Sequence, residues 1–106
     1  MSFREAQDVV DRWVGQFEEG YFSPLANLAR LAEEVGELAR EVNHHFGPKT
    51  KKPDEPSGSI PMELADILFV VICLANSQKI DLDAAFGQMM DKVTVRDAGR
   101  WSRRGR

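Results

Sequence analysis

The 106-residue chain has one cysteine, Cys73, so it can form no intramolecular disulfide. Cys73 sits in Val70-Val71-Ile72-Cys73-Leu74, where a thiol acts as a small hydrophobe. Both points suit a reducing cytoplasm. Long apolar runs are missing as well. The longest, Ile67 to Ala75, is nine residues, too short to span a bilayer, which takes about 20. The start, Met1-Ser2-Phe3-Arg4-Glu5, meets charge within five residues and shows no signal-peptide core. No excess of positive charge is present. The net charge is -3, whereas a general nucleic-acid binder is usually basic. There is no P-loop pattern, which argues against a Walker-type NTPase. No segment reads as a convincing strand, and there is no internal repeat. The expectation is a soluble cytoplasmic protein with no membrane or nucleic-acid partner, forming one domain with one small core.

What is present reads as four helices and one polar loop. The first segment runs from about Phe3 to Glu19. Ser2 and Glu5 offer a capping box, and Phe3, Ala6, Val9, Val10, Trp13, Val14 and Phe17 recur at helical spacing. Gly20 is expected to end it. The second opens on Ser23-Pro24, a cap followed by proline at the first helical position, and runs to about His45 before Gly47-Pro48. Lys49 to Ser59 is too polar and too rich in proline and glycine to pack, and is expected to be a mobile loop. The third segment starts near Ser59 to Pro61 and reaches about Gln78. The fourth is capped by Asp81 and runs to about Asp97, followed by a loose basic tail over residues 100–106. The fold class is therefore all-α, a compact four-helix bundle.

Two acidic pairs at i, i+3 spacing stand out: Glu34 and Glu37 on the second helix, Glu63 and Asp66 on the third. That spacing puts both members of a pair on one helix face. On the second helix, Glu33, Glu34, Glu37 and Glu41 share an arc of about 100°, opposite Leu28, Leu31, Val35, Leu38 and Val42. A solvated acidic face explains that arrangement, although Glu33, Glu37 and Glu41 form a like-charged row with no lysine in it. The third helix is more telling. Glu63 and Asp66 stand at the mouth of a run that is apolar on every side, and such a helix is normally buried. Helix capping explains Glu63 better than Asp66. No lysine or arginine occurs between Lys52 and Lys79 to pair with them. They need a metal or a cation from another segment, and a hard divalent ion such as Mg²⁺ suits an all-oxygen set.

The pattern E-E-x-x-E over residues 33–37, then 25 residues, then E-x-x-D over residues 63–66 resembles the MazG-like all-α nucleoside triphosphate pyrophosphohydrolases, a superfamily that includes dimeric dUTPases and dCTP pyrophosphatases. The likeness covers nearly the whole chain: the first helix with Gly20-Tyr21-Phe22-Ser23-Pro24-Leu25, the Glu-rich helix, the polar loop, the E-x-x-D helix, Ile80-Asp81-Leu82 and the closing Lys92, Arg96-Asp97 and Arg100-Trp101. The resemblance implies hydrolysis of an NTP to NMP and pyrophosphate, in a nucleotide house-cleaning role. It implies Mg²⁺, with Mn²⁺ as a substitute, held by Glu34, Glu37, Glu63 and Asp66. Glu33 and Glu37 are the expected catalytic acids, Glu33 being left to hold a second ion or orient the attacking water. Lys92 and Arg96, at i, i+4 on the fourth helix, are the expected phosphate ligands. Many members also carry an asparagine in that region, and this chain has none after Asn76.

For the base, Trp13, Phe17, Tyr21 and Phe22 are available to stack, and Asn27 or Asn76 to read an edge. An aromatic stripe at helical spacing equally suits a core. His44 and His45 suit surface caps at a helix C-terminus. Two rivals stand beside the enzyme. Glu33-Glu34-Val35-Gly36 resembles the end of a Nudix box, but the upstream glycine and Arg-Glu pair are out of place and strands are missing. A non-catalytic helical interaction module with an acidic patch is the other. Four short helices, one apolar all round, leave more apolar surface than a small bundle covers. Both that surplus and the resemblance lead to an expected homodimer or dimer of dimers, with the site completed by a neighbouring subunit.

Overall fold

The computed structural model describes residues 1–48 and 58–105, so most of the expected loop lies outside the described residues. Among these, four helices and no strand form: α1 (Phe3–Val14), α2 (Pro24–Phe46), α3 (Ile60–Ser77) and α4 (Leu82–Arg96). The local signals act as their chemistry dictates. The Ser2 hydroxyl accepts from the Glu5 amide at 3.1 Å, and the Glu5 carboxylate accepts from the Ser2 amide at 3.0 Å. Ser23 accepts from the Ala26 amide, and Ser59 from the Met62 amide, each at 3.2 Å. Asp81 caps α4 by accepting from the amides of Asp83 and Ala84. Each satisfies a donor that a helix start otherwise leaves unpaired.

One boundary differs from expectation. α1 stops at Val14 instead of continuing to Glu19. Gly15 is its cap, donating to the Asp11 carbonyl at 2.9 Å. Glycine weakens helix propagation, and the chain then closes tight turns, Phe17 to Val14 at 3.1 Å and Gly20 to Phe17 at 3.3 Å. Gly20 has φ 63, a left-handed conformation that favours glycine.

α2 and α3 form the main pair, and α1 lies across α3. Val10, Ile72 and Cys73 make the buried centre, with Ala6, Val14, Tyr21, Phe69 and Leu82 packed around it. A polar network ties α1 to the α3–α4 turn. The Asn76 amide donates to the Gln7 carbonyl and to the Tyr21 hydroxyl, each at 2.9 Å, and accepts from Gln7 Nε2 at 2.9 Å. Gln7 also donates to the Ile80 carbonyl at 2.7 Å and accepts from the Leu82 amide at 3.1 Å. Tyr21 donates to Asp11 at 2.7 Å. Burial, and then the Asp11 acceptor, push the Tyr21 phenol up to about 12, so it remains a donor throughout the neutral range.

α4 is the outlier. It touches α1 through the Phe3 and Phe86 rings, whose centroids are 5.3 Å apart, and through Asp83, which accepts from the Phe3 and Arg4 amides at 3.2 Å. It has no buried residue. α3 is covered on part of its surface only. Val70, Ile72, Cys73 and Ala75 are buried, but Leu68 is 51% exposed and Leu64 nearly as open, so the expected all-round burial does not occur within one chain. The nine-residue run also understates this helix. Its 18 residues average 1.7 in hydropathy, long and apolar enough by composition to cross a membrane. Here it packs on α1 and α2 and carries Glu63 and Asp66.

Candidate active site

α2 brings Glu34 to the start of α3, where Glu63 and Asp66 occupy its first turns. One oxygen from each of the three carboxylates lies within 4.8 Å of the others, and all three residues are half-buried. The Glu63 carboxyl is pushed up from its ordinary range, first by desolvation and then by the charges of Asp66, Glu37, Glu34 and Glu41. Oxygen-only donors, partial burial and mutual repulsion together fit a hard divalent cation.

Glu37, expected as the fourth ligand, is outside this group. It is exposed and accepts from Arg40 at 2.8 Å, although its charge still reaches Glu63. Glu33 is exposed on the neighbouring surface of α2. Glu41, one further step along the acidic face, is 2% exposed and lies 3.9 Å from His45 Nε2. Gly58 passes so close that a Cβ there would meet the Glu41 carboxylate carbon at 2.9 Å. The position of Glu41, seven residues after Glu34, puts it on the same helix face, because i+7 returns there.

Among the described residues Lys92 and Arg96 make no ion pair with the clustered acids, and the main helix contact of α4 is with α1. Arg96 is held by Asp97 at 3.1 and 3.2 Å, and Arg100 lies 3.6 Å from the same carboxylate. The Arg100 guanidinium stacks on Trp101 in the exposed tail.

Trp13 and Phe17 are not core. Trp13 and Phe17 are half-exposed, with ring centroids 5.2 Å apart in an edge-to-face arrangement. With Tyr21 and Phe22 they wall a cavity of about 340 Å³, floored by Phe69 and Cys73. This is within the size range of small-molecule sites, roughly 300–1,000 Å³. Asn27 lines it and is 1% exposed. Its Nδ2 donates to the Phe22 carbonyl at 3.3 Å, which fixes the amide's orientation, and among the described residues its buried Oδ1 has no hydrogen-bond partner. Asn76 does not line this cavity. Its amide is taken up by Gln7 and Tyr21. Arg30, which no sequence pattern marked, does line it.

Comparison with known proteins agrees with this architecture. Residues 22–101 match the MazG nucleotide pyrophosphohydrolase domain. The uncharacterised protein YpjD of Bacillus subtilis (strain 168) is 53% identical over 103 residues, covering 97% of this chain and 93% of its own. The crystal structure of YpjD from Bacillus subtilis superposes with a TM-score of 0.78 at 54% identity, covering 87% of this chain and 94% of that one. The crystal structure of a Bacillus-conserved MazG protein, described as a nucleotide pyrophosphohydrolase, gives 0.76 at 52% identity over 87% and 88%. An all-α chain with clustered carboxylates from two helices, matched over most of its length, is thus a member of the MazG nucleotide pyrophosphohydrolase family and a hydrolase of that kind.

Proposed function

We propose that the protein cleaves a nucleoside or deoxynucleoside triphosphate between its α and β phosphates, giving the monophosphate and pyrophosphate with Mg²⁺ as cofactor. The grouping of Glu34, Glu63 and Asp66 carries this reading. A divalent cation there would neutralise phosphoryl oxygens and activate a water for attack. Glu34 reaches the site from α2, and Glu63 and Asp66 from α3, so the packing of two helices presets the donors. Glu37, released from Arg40, becomes the fourth ligand. Glu33 holds the attacking water or a second ion. The aromatic cavity takes the base between Trp13, Phe17 and their neighbours, with Asn27 Oδ1 as an acceptor for a base N–H. Asn76 has no part in this reading, because its bonds are spent on the fold.

The test is pyrophosphate release from a panel of NTPs and dNTPs titrated with Mg²⁺. Turnover of at least one triphosphate that stops on chelation is expected. Failure with the whole panel would sink the reading in favour of a binding module.

Assembly belongs to the same proposal. The exposed Leu64 and Leu68 on α3, together with Phe86, Met89 and Met90 on α4, form apolar surface that one chain does not cover. The Cα radius of gyration is 17.7 Å, against about 13 Å for a compact chain of 100 residues. A second copy covering these helices also supplies the site with the Lys92 and Arg96 cations that its own chain holds elsewhere. Light scattering at micromolar concentration is expected to give a dimer or tetramer mass; a monomer would overturn this.

A further inference from the structure

Arg30 stands between two sites that the rest of the molecule defines separately. It lies three residues after Asn27, which faces the aromatic cavity, and four before Glu34, which belongs to the acidic group. At about 1.5 Å per residue, the run from Asn27 to Glu34 spans about 10 Å along α2, with Arg30 near its middle. Its spacing to Glu34 is that of a helical ion pair. Yet among the described residues no carboxylate pairs with it; its guanidinium stacks 5.3 Å from the centre of the Phe22 ring. Its charge also acts on Cys73 in the cavity floor, pulling down a thiol that burial pushes up. A half-buried guanidinium with its forked donors unspent, held by an aromatic face, is built to meet an anion.

We propose that Arg30 is a substrate-binding residue that grips the phosphoryl group next to the sugar, with the base in the aromatic cavity on one side and the metal-binding carboxylates on the other. This rests on the pyrophosphohydrolase reading and adds to it the direction in which the nucleotide lies: base toward the N-terminus of α2, polyphosphate toward Glu34. It also makes Arg30 a phosphate ligand supplied by the same chain as the carboxylates, independent of Lys92 and Arg96.

The experiment is calorimetric binding, in Mg²⁺, of a non-hydrolysable α,β-methylene nucleoside triphosphate and of the matching nucleoside. Arg30→Met keeps the apolar stem against Phe22 and removes the charge. It is expected to weaken the triphosphate analogue by about 10- to 100-fold, while nucleoside binding and the Mg²⁺-induced thermal shift remain as in wild type. Arg30→Lys keeps the charge but loses the fork, and is expected to fall between them; it carries the test if Arg30→Met does not fold. Unchanged analogue affinity in Arg30→Met, or an equal loss for the nucleoside, overturns the assignment. If the wild type neither binds the analogue nor releases pyrophosphate from any triphosphate, the underlying activity is what fails.

Discussion

Asp66→Asn is expected to lower pyrophosphate release by on the order of 10²-fold or more, the scale on which active-site electrostatic groups contribute. The change alters almost no volume. It removes one negative charge from three carboxylates whose oxygens lie within 4.8 Å of one another. An amide oxygen is a weaker ligand for a hard cation, and its NH₂ presents donors where acceptors are needed. Glu63→Gln should behave alike. Two readouts separate loss of the metal from loss of the fold. In the absence of metal, both variants should be at least as stable as wild type, since partial burial and the neighbouring carboxylates disfavour charge at Glu63. In millimolar Mg²⁺, wild type should gain thermal stability and the variants should not, because a ligand that binds only the folded state adds to its stability. Glu37→Gln, whose carboxylate is occupied by Arg40, should lose less. An Asp66→Asn protein with wild-type turnover and Mg²⁺ response would remove the proposed cage.

Asn76→Ala is expected to cost roughly 2–4 kcal/mol, from three hydrogen bonds at about 1 kcal/mol each and a part-buried carbonyl left without its partner. The amide bridges Gln7 on α1 and Tyr21 in the turn that follows it. Its loss unpins α1 from α3 at the point where Gln7 also holds the start of α4 through the Leu82 amide. At about 4–8 °C per kcal/mol for a chain of this size, Tm should fall by about 10 °C or more. Turnover measured well below Tm should retain its wild-type KM. A Tm within 2 °C of wild type combined with a raised KM would instead make Asn76 a base reader, the role its residue type alone suggests.

The paired carboxylates were legible because two facts combine: i, i+3 spacing, and a stretch from Lys52 to Lys79 without a cation. Glu37, paired with Glu34 by the same spacing, could not be placed as finely: Arg40 is three residues away on an adjacent face and holds its carboxylate outside the group that Glu34, Glu63 and Asp66 form. Caps at Ser2, Ser23 and Asp81 are local chemistry and were readable as such, whereas Ser59 marked only the approximate start of α3. The end of α1 was not, because Phe17 continues the apolar spacing past Gly15; the turn happens to keep its ring beside Trp13. Asn76 in an apolar helix had to have partners, but which ones depends on where α1 crosses. Arg30 left no pattern at all. Its place is set by Phe22 and by the cavity the turn encloses, which is tertiary information.

The exposed packing of α4 has a dynamic consequence. Beyond its first turn, where Asp81 caps it and Leu82 meets the core and Gln7, α4 has no buried residue and little but the Phe3–Phe86 contact and the bonds of Asp83 to α1 to hold its backbone bonds closed. Local opening free energies follow buried apolar contact. In an isolated chain its amides should therefore exchange with deuterated water within the first time points, while those around Val70 to Cys73 outlast every other segment. If a second copy covers α4 as proposed, its protection becomes a clock on subunit encounter: on dilution it should fade first, before any change in helix content.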